Sequence, residues 1–183
     1  MKFACETPPT GAAAQFAASL QNKLPTLATD RLILRAPRVT DFETYAEIAC
    51  SSRGAYFGGP MSREDAWADF ASMTGNWLLH GHGVWTIGAA AGPAGFVILG
   101  FEPGDQEPEL GFMLTQTSEG QRIAFAAAQA VRHHARTALG WDTLVSYIDP
   151  ENRRALRLAQ RLGGLLDGRV AESLVYRYPR EVL

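Results

Sequence analysis

The sequence predicts an α+β fold with a mixed, mainly antiparallel central sheet flanked by helices. Three observations carry that expectation. Three short runs in the middle of the chain read as consecutive strands, two joined by a Gly/Ala/Pro turn. Segments with helical spacing of apolar residues lie before and after this meander. The regular strand–helix alternation of a doubly wound dinucleotide fold does not occur, which favours segregated layers over a parallel sheet.

Bulk properties bound the answer before any element is placed. A chain of 183 residues can bury a core without disulfides or a structural metal. Hydrophobic content of 46% and charged content of 20% are those of a globular protein. Seventeen basic against nineteen acidic residues argue against a dedicated nucleic-acid binder. Cys5 and Cys50 do not make a disulfide framework and read as free thiols in a reducing cytoplasm, Cys5 in a loose tail and Cys50 in the core. No apolar run reaches the roughly 18 residues a membrane span needs. The alanine-rich stretch 12–20 is interrupted by Gln15 and Gln21 and preceded only by Lys2, so it is not read as a signal peptide. Residues 1–25 are expected to form an appendage with a short helix, and residues 26–183 the main domain.

The elements follow in order. Residues 31–35, apolar and β-branched between arginines, read as a strand stopped by Pro37. Thr40 is the expected cap of a helix carrying Phe42, Tyr45, Ala46 and Ala49 at helical spacing. A glycine-rich loop over 53–60 carries Tyr56 and Phe57. Ser62 and Asp65 open a second helix over 62–79, broken at Gly81. Strands are expected over 84–89, 95–101 and 109–115. In the last, Leu110, Phe112 and Leu114 take one face, and Glu109, Gly111 and Met113 the other. A long helix over 121–139 packs a stripe of small residues on the sheet, with Arg122, Gln129, Arg132 and Arg136 assigned to its polar side. A strand over 142–148, a helix over 153–162 ended by Gly163-Gly164, and a last strand over 173–178 complete the chain.

A strand, a glycine turn and a helix N-terminus in succession can make an anion cradle, because the first N–H groups of a helix have no intrahelical partner. The unit running from Glu109 through Gly120 into the long helix is therefore the expected site for a phosphorylated cofactor. Arg154, Arg157 and Arg161 share one helical face, which suits either phosphate or solvent. His80 and His82 are spaced like metal ligands but lack acidic or cysteine partners nearby, so a turn is expected there and no metal. Tyr56, Trp77 and Trp85 are candidates to line an acceptor pocket, although aromatics at helical or strand spacing are more often core, the reading favoured for Trp77.

The element order, with Leu27–Arg35 as a string, Glu109-Leu110-Gly111-Phe112, Asp149-Pro150-Glu151-Asn152 and Arg161-Leu162-Gly163, resembles the GCN5-related N-acetyltransferase superfamily, in its ribosomal-protein-alanine acetyltransferase-like branch. The resemblance covers about 27–178. It implies the acyl-CoA N-acyltransferase-like fold, acetyl-CoA as co-substrate and a primary amine of a small molecule or peptide as acceptor. It further implies that Phe112, Met113 and Leu114 touch the pantetheine arm and that Gly120, Gln121, Arg122, Ile123 and Ala124 face the pyrophosphate. N–H groups near Met113 and Leu114 would then polarise the thioester carbonyl, with Asn152 beside the arm. Glu109 is the candidate general base. The sequence departs from the family turn, which reads glutamine or arginine, two residues, glycine, one residue, glycine or alanine. Aligned from Thr117, only Gly120 matches, and Arg122 replaces the final small residue. Arg122 either obstructs the backbone's approach to phosphate or sets a guanidinium on it. The tyrosine expected seven residues after Asn152 is Ala159. These departures leave a second reading open, a degenerate relative that binds a ligand or partner without acetylating. The last strand and the N-terminal appendage would suit a homodimer.

Overall fold

The computed structural model describes residues 2–180; residues 1 and 181–183, the outer ends of the two expected regions, lie outside the described residues. Eight strands form one sheet in the order β1-β2-β3-β4-β5-β6-β8-β7. They are β1 (Leu27–Ala28), β2 (Ile33–Arg35), β3 (Val84–Ala89), β4 (Gly92–Gly100), β5 (Glu109–Leu114), β6 (Val145–Ile148), β7 (Leu165–Val170) and β8 (Ser173–Arg177). Among the described residues five α-helices accompany them: α1 (Gly11–Gln21), α2 (Phe42–Ala49), α3 (Arg63–His80), α4 (Ile123–Thr137) and α5 (Arg153–Arg161). Among the described residues only the β5–β6 pair is parallel.

The period-2 pattern of β5 sorts its side chains to two cores. Leu110 packs with Trp85, Val97, Leu99, Ala127, Val131 and Leu144 under α4 and α5, joined by Phe112 and Leu114. Met113 packs with Tyr45, Phe70, Val84 and Phe96 under α2 and α3. Trp77 and Trp85 are both core, their rings edge to face at 4.6 Å, with indole N–H groups donating to Val84 and Pro25 carbonyls. Ser62 caps α3 by accepting from the Asp65 N–H at 3.1 Å.

Several expectations change. Asp41, not Thr40, organises the start of α2: its buried carboxylate accepts from the Arg38 N–H, from both terminal nitrogens of Arg35 and from Thr86 Oγ1. Arg132 is buried rather than on a polar face, donating to Leu162 O and lying over the Tyr178 ring. β1 and β7 were not expected; they are the two edge strands, and β8 sits between β6 and β7 rather than on the edge. Helix α4 begins at Ile123, two residues later than periodicity suggested. The N-terminal segment is docked, not loose: Glu6 pairs with Arg63 through two hydrogen bonds of 2.8 and 2.7 Å, and its side chain is 4% exposed.

Candidate active site where β5 and β6 part

A single register pair, Glu109 with Val145, joins β5 to β6. Past that point side chains replace the backbone ladder. Ser146 Oγ donates to Leu110 O at 2.5 Å, and the Tyr147 N–H donates to Glu109 Oε1 at 3.1 Å. The next residues of the two strands diverge and leave a gap.

The direction of β5's backbone groups follows from its ladder with β4. Thr115 N–H donates to Ala94 O, and hydrogen-bonded and non-bonded pairs alternate along an antiparallel ladder. Met113 is therefore bonded to β4, while Phe112 and Leu114 turn their N–H groups to the gap. The carbonyls agree, since Leu110 O meets Ser146 and Leu114 O meets Arg53 Nε on the gap side. Of the two N–H groups expected at a thioester carbonyl, that of Leu114 faces the gap and that of Met113 does not, while that of Phe112 also faces it.

Gap and turn open into a cleft of about 740 Å³. Phe112, Met113 and Leu114 line it from β5; Gly120, Arg122, Ile123 and Ala124 from the turn and α4; Asn152 from the cap of α5. Gln121 does not join them. It borders a separate hollow, its side chain donating to Thr117 O at 2.7 Å and its carbonyl accepting from Arg31. Ile123 is largely buried in the core. Gly120 and Arg122 both have left-handed backbones, with φ of 73° and 63°. For Arg122 that conformation costs about 1 kcal/mol relative to glycine. Asn152 Oδ1 accepts from the Ala155 N–H at 3.1 Å, so its N-cap role is real, and it stands in the cleft as well.

Glu109 lies at the inner end of the gap, away from the cleft's lining residues. Burial pushes its carboxyl up to about 8; the Tyr147 N–H opposes this, and the nearby charges of Glu102 and Asp105 add to it. Such a group titrates where a general base is useful. Tyr178 stands behind the same gap, its hydroxyl 2.9 Å from Ser146 Oγ and its pKa pushed up to about 12 by burial.

Sequence reasoning missed Arg53. It belongs to a 3-10 turn, Ser52–Tyr56, whose tight packing is set by Gly54: a Cβ there would lie 2.3 Å from Ala49 O. The turn sets Arg53 and Tyr56 on the wall opposite α5, where Arg153, Arg154, Arg157 and Arg161 line the other side. Glu119 bridges the walls, paired with Arg53 and with Arg154. His82 is buried, its Nδ1 hydrogen-bonded with Leu99 O at 3.0 Å, and stacks on His80. Among the described residues no cluster of His, Cys, Asp and Glu is placed to hold a metal ion. No described helix is long and apolar enough to cross a membrane.

Comparison with known proteins bears on this geometry. The model of an acetyltransferase (GNAT) domain matches residues 31–164. The acetyltransferase from Agrobacterium tumefaciens str. C58 is 37% identical, with a TM-score of 0.82 over 86% of this chain and 96% of that one. The ribosomal L7/L12 α-N-protein acetyltransferase RimL, in an apo crystal form, shares the fold at 17% identity and a TM-score of 0.70 over 87% and 95%. The microcin C7 self-immunity acetyltransferase MccE, crystallised with acetyl-CoA and AMP, shares it at 15% identity and 0.68 over 83% and 94%. No curated protein matches the chain in sequence.

Proposed function

The chain belongs to the GNAT acetyltransferase family, and from that premise we propose how its cleft serves N-acetyl transfer from acetyl-CoA to a primary amine. The observation that carries the reading is the gap beyond Glu109 and Val145, open to a cleft lined by arginines. Acetyl-CoA, when bound, supplies an activated acetyl thioester. The gap-facing N–H groups of Phe112 and Leu114 suit the amides and the carbonyl of an extended thioester arm, which offer acceptors where a β6 ladder would have been. The arginine-lined mouth and the start of α4 suit its phosphates.

Glu109 receives the proton of the acceptor's ammonium, directly or through water. Its face of β5, shared with Met113, looks toward α2 and α3, and that side is assigned to the acceptor. Arg122's left-handed backbone favours reading the family turn from Glu119 rather than Thr117. Arg122 then stands on the first glycine of the pattern and Ala124 on its last small residue. In that register the turn keeps its shape, and the arginine supplies charge without blocking the backbone.

We place the protein in the cytoplasm on the strength of its two free thiols. Pairing of two copies along β7, whose Leu165 and Leu166 are exposed, is the dimer the fold suits.

Calorimetric titration of acetyl-CoA, followed by thiol release with a panel of amines and N-terminal peptides, tests the reading. Micromolar binding and acceptor-dependent thiol release are expected. Binding without turnover across the panel would favour a catalytically degenerate relative, and no binding at millimolar acetyl-CoA would remove the cleft assignment.

A further inference from the structure

Glu119 stands at the lip of the cleft, between the short 3-10 turn Gln116–Ser118 and the start of α4. Its carboxylate is held from both walls at once. Arg53 reaches it from the turn after α2, and Arg154 from the first turn of α5 at 2.7 Å. The three charges span the mouth from side to side.

The two arginines are held differently. Arg53 is 18% exposed, and its Nε donates to Leu114 O at 3.3 Å. That anchor fixes its plane independently of Glu119, so a terminal nitrogen faces the cleft whichever anion it meets. Arg154 is 75% exposed and free to follow an anion within reach of its chain. Arg122, Arg153, Arg157 and Arg161 line the same cleft, against two carboxylates, Glu119 and Glu151. The mouth is cationic overall, but its best-anchored guanidinium is spent on an internal carboxylate.

We propose that Glu119 is an internal competitor for the ligand's phosphates: its carboxylate holds the seat that Arg53 and Arg154 offer an anion, and a diphosphate enters by exchanging for it. The inference rests on the reading that this cleft takes a CoA thioester. A diphosphate brings more charge and more acceptor oxygens than a carboxylate, so the exchange runs forward. It also has a cost, because the displaced carboxylate stays near an incoming anion. Every phosphate-bearing ligand is weakened by that amount, and contacts along β5 must supply the remainder. A ligand with phosphates but no arm for the gap therefore binds poorly.

The test is calorimetry on the full chain and on Glu119→Gln, with CoA, with 3′-phosphoadenosine 5′-diphosphate and with pantetheine, at two salt concentrations. Glu119→Gln should bind CoA and the diphosphate about five- to tenfold more tightly, the size of one unit-charge repulsion at about 4 Å in largely aqueous surroundings. The gain should shrink at high salt, and pantetheine should bind both proteins alike. Unchanged or weaker CoA binding by Glu119→Gln, with wild-type binding intact, overturns the inference and makes Glu119 a positioning residue for the arginines. Absence of CoA binding by both proteins removes the cleft assignment itself. Glu119→Ser serves as the second variant, and thermal melting of each confirms the fold.

Discussion

The two ends of β5 keep opposite company. At its start Glu109 is a carboxyl stripped of water, with one backbone N–H as its partner and other acids as its charged neighbours. Past its end Glu119 is a carboxyl in partial contact with solvent, held by two guanidiniums. The same functional group thus does different work on the two sides of one short strand. Where burial dominates, proton affinity rises toward neutral pH, which suits the role of base proposed for Glu109. Where two guanidiniums hold the carboxylate, it is placed to meet other anions at the cleft mouth.

The largest effect expected from breaking this contrast comes at the buried end. Glu109→Gln should lower kcat for amine acetylation by about a hundredfold or more, with the calorimetric affinity for acetyl-CoA nearly unchanged. An unaltered kcat would move the base elsewhere. The same carboxyl should also mark stability. Its folded value, about 8, lies above an unfolded value near 4.5, so the folded state holds the proton more tightly. That contribution is complete below about pH 4.5 and is lost as pH rises through about 8. Wild type should therefore lose about 4 kcal/mol relative to Glu109→Gln between pH 5 and pH 9, read from urea midpoints at each pH. Parallel curves for the two proteins would show that the carboxyl is better solvated than its burial indicates.

Smaller effects are expected at the exposed end. Arg53→Ala should raise the KM for acetyl-CoA about tenfold and leave the pH profile of kcat in place, since it removes charge from the mouth and not from the base. Arg122→Gly separates backbone from charge at one residue. Stability should rise by about 1 kcal/mol as the left-handed φ is relieved, while acetyl-CoA affinity falls about threefold for want of the guanidinium. A gain in affinity would show that the side chain obstructs the turn.

Much of the fold was legible because its patterns are local. β3, β4 and β5, and the helices α3, α4 and α5, follow from alternation or from spacing of three and four, with ends displaced by up to three residues. β7 escaped because it lies on the edge with Leu165, Leu166, Asp167 and Arg169 all exposed, so no buried face imposed alternation. Arg132 escaped for the opposite reason. Its place on a helical wheel says polar, but the carbonyls of Leu162 and Pro179 need a donor inside the fold. In the site, the strand-end residues and the turn were read from their order, whereas Arg53 was passed over within a glycine-rich loop.

What the sequence by itself determined was the strand, turn and helix around the site, with Glu109 and Met113 on one face of β5 and Phe112 and Leu114 on the other. These depend on chain geometry over a few residues. Only the tertiary structure decided that Phe112, not Met113, turns an N–H to the gap, because that depends on which pairs of the β4 ladder are bonded. It also decided the proton affinity of Glu109 and the partners of Glu119. Burial is a sum over residues distant in the chain, and Arg53 and Arg154 meet Glu119 across 66 and 35 positions of sequence. Desolvation and charge act through space, so no local pattern carries them.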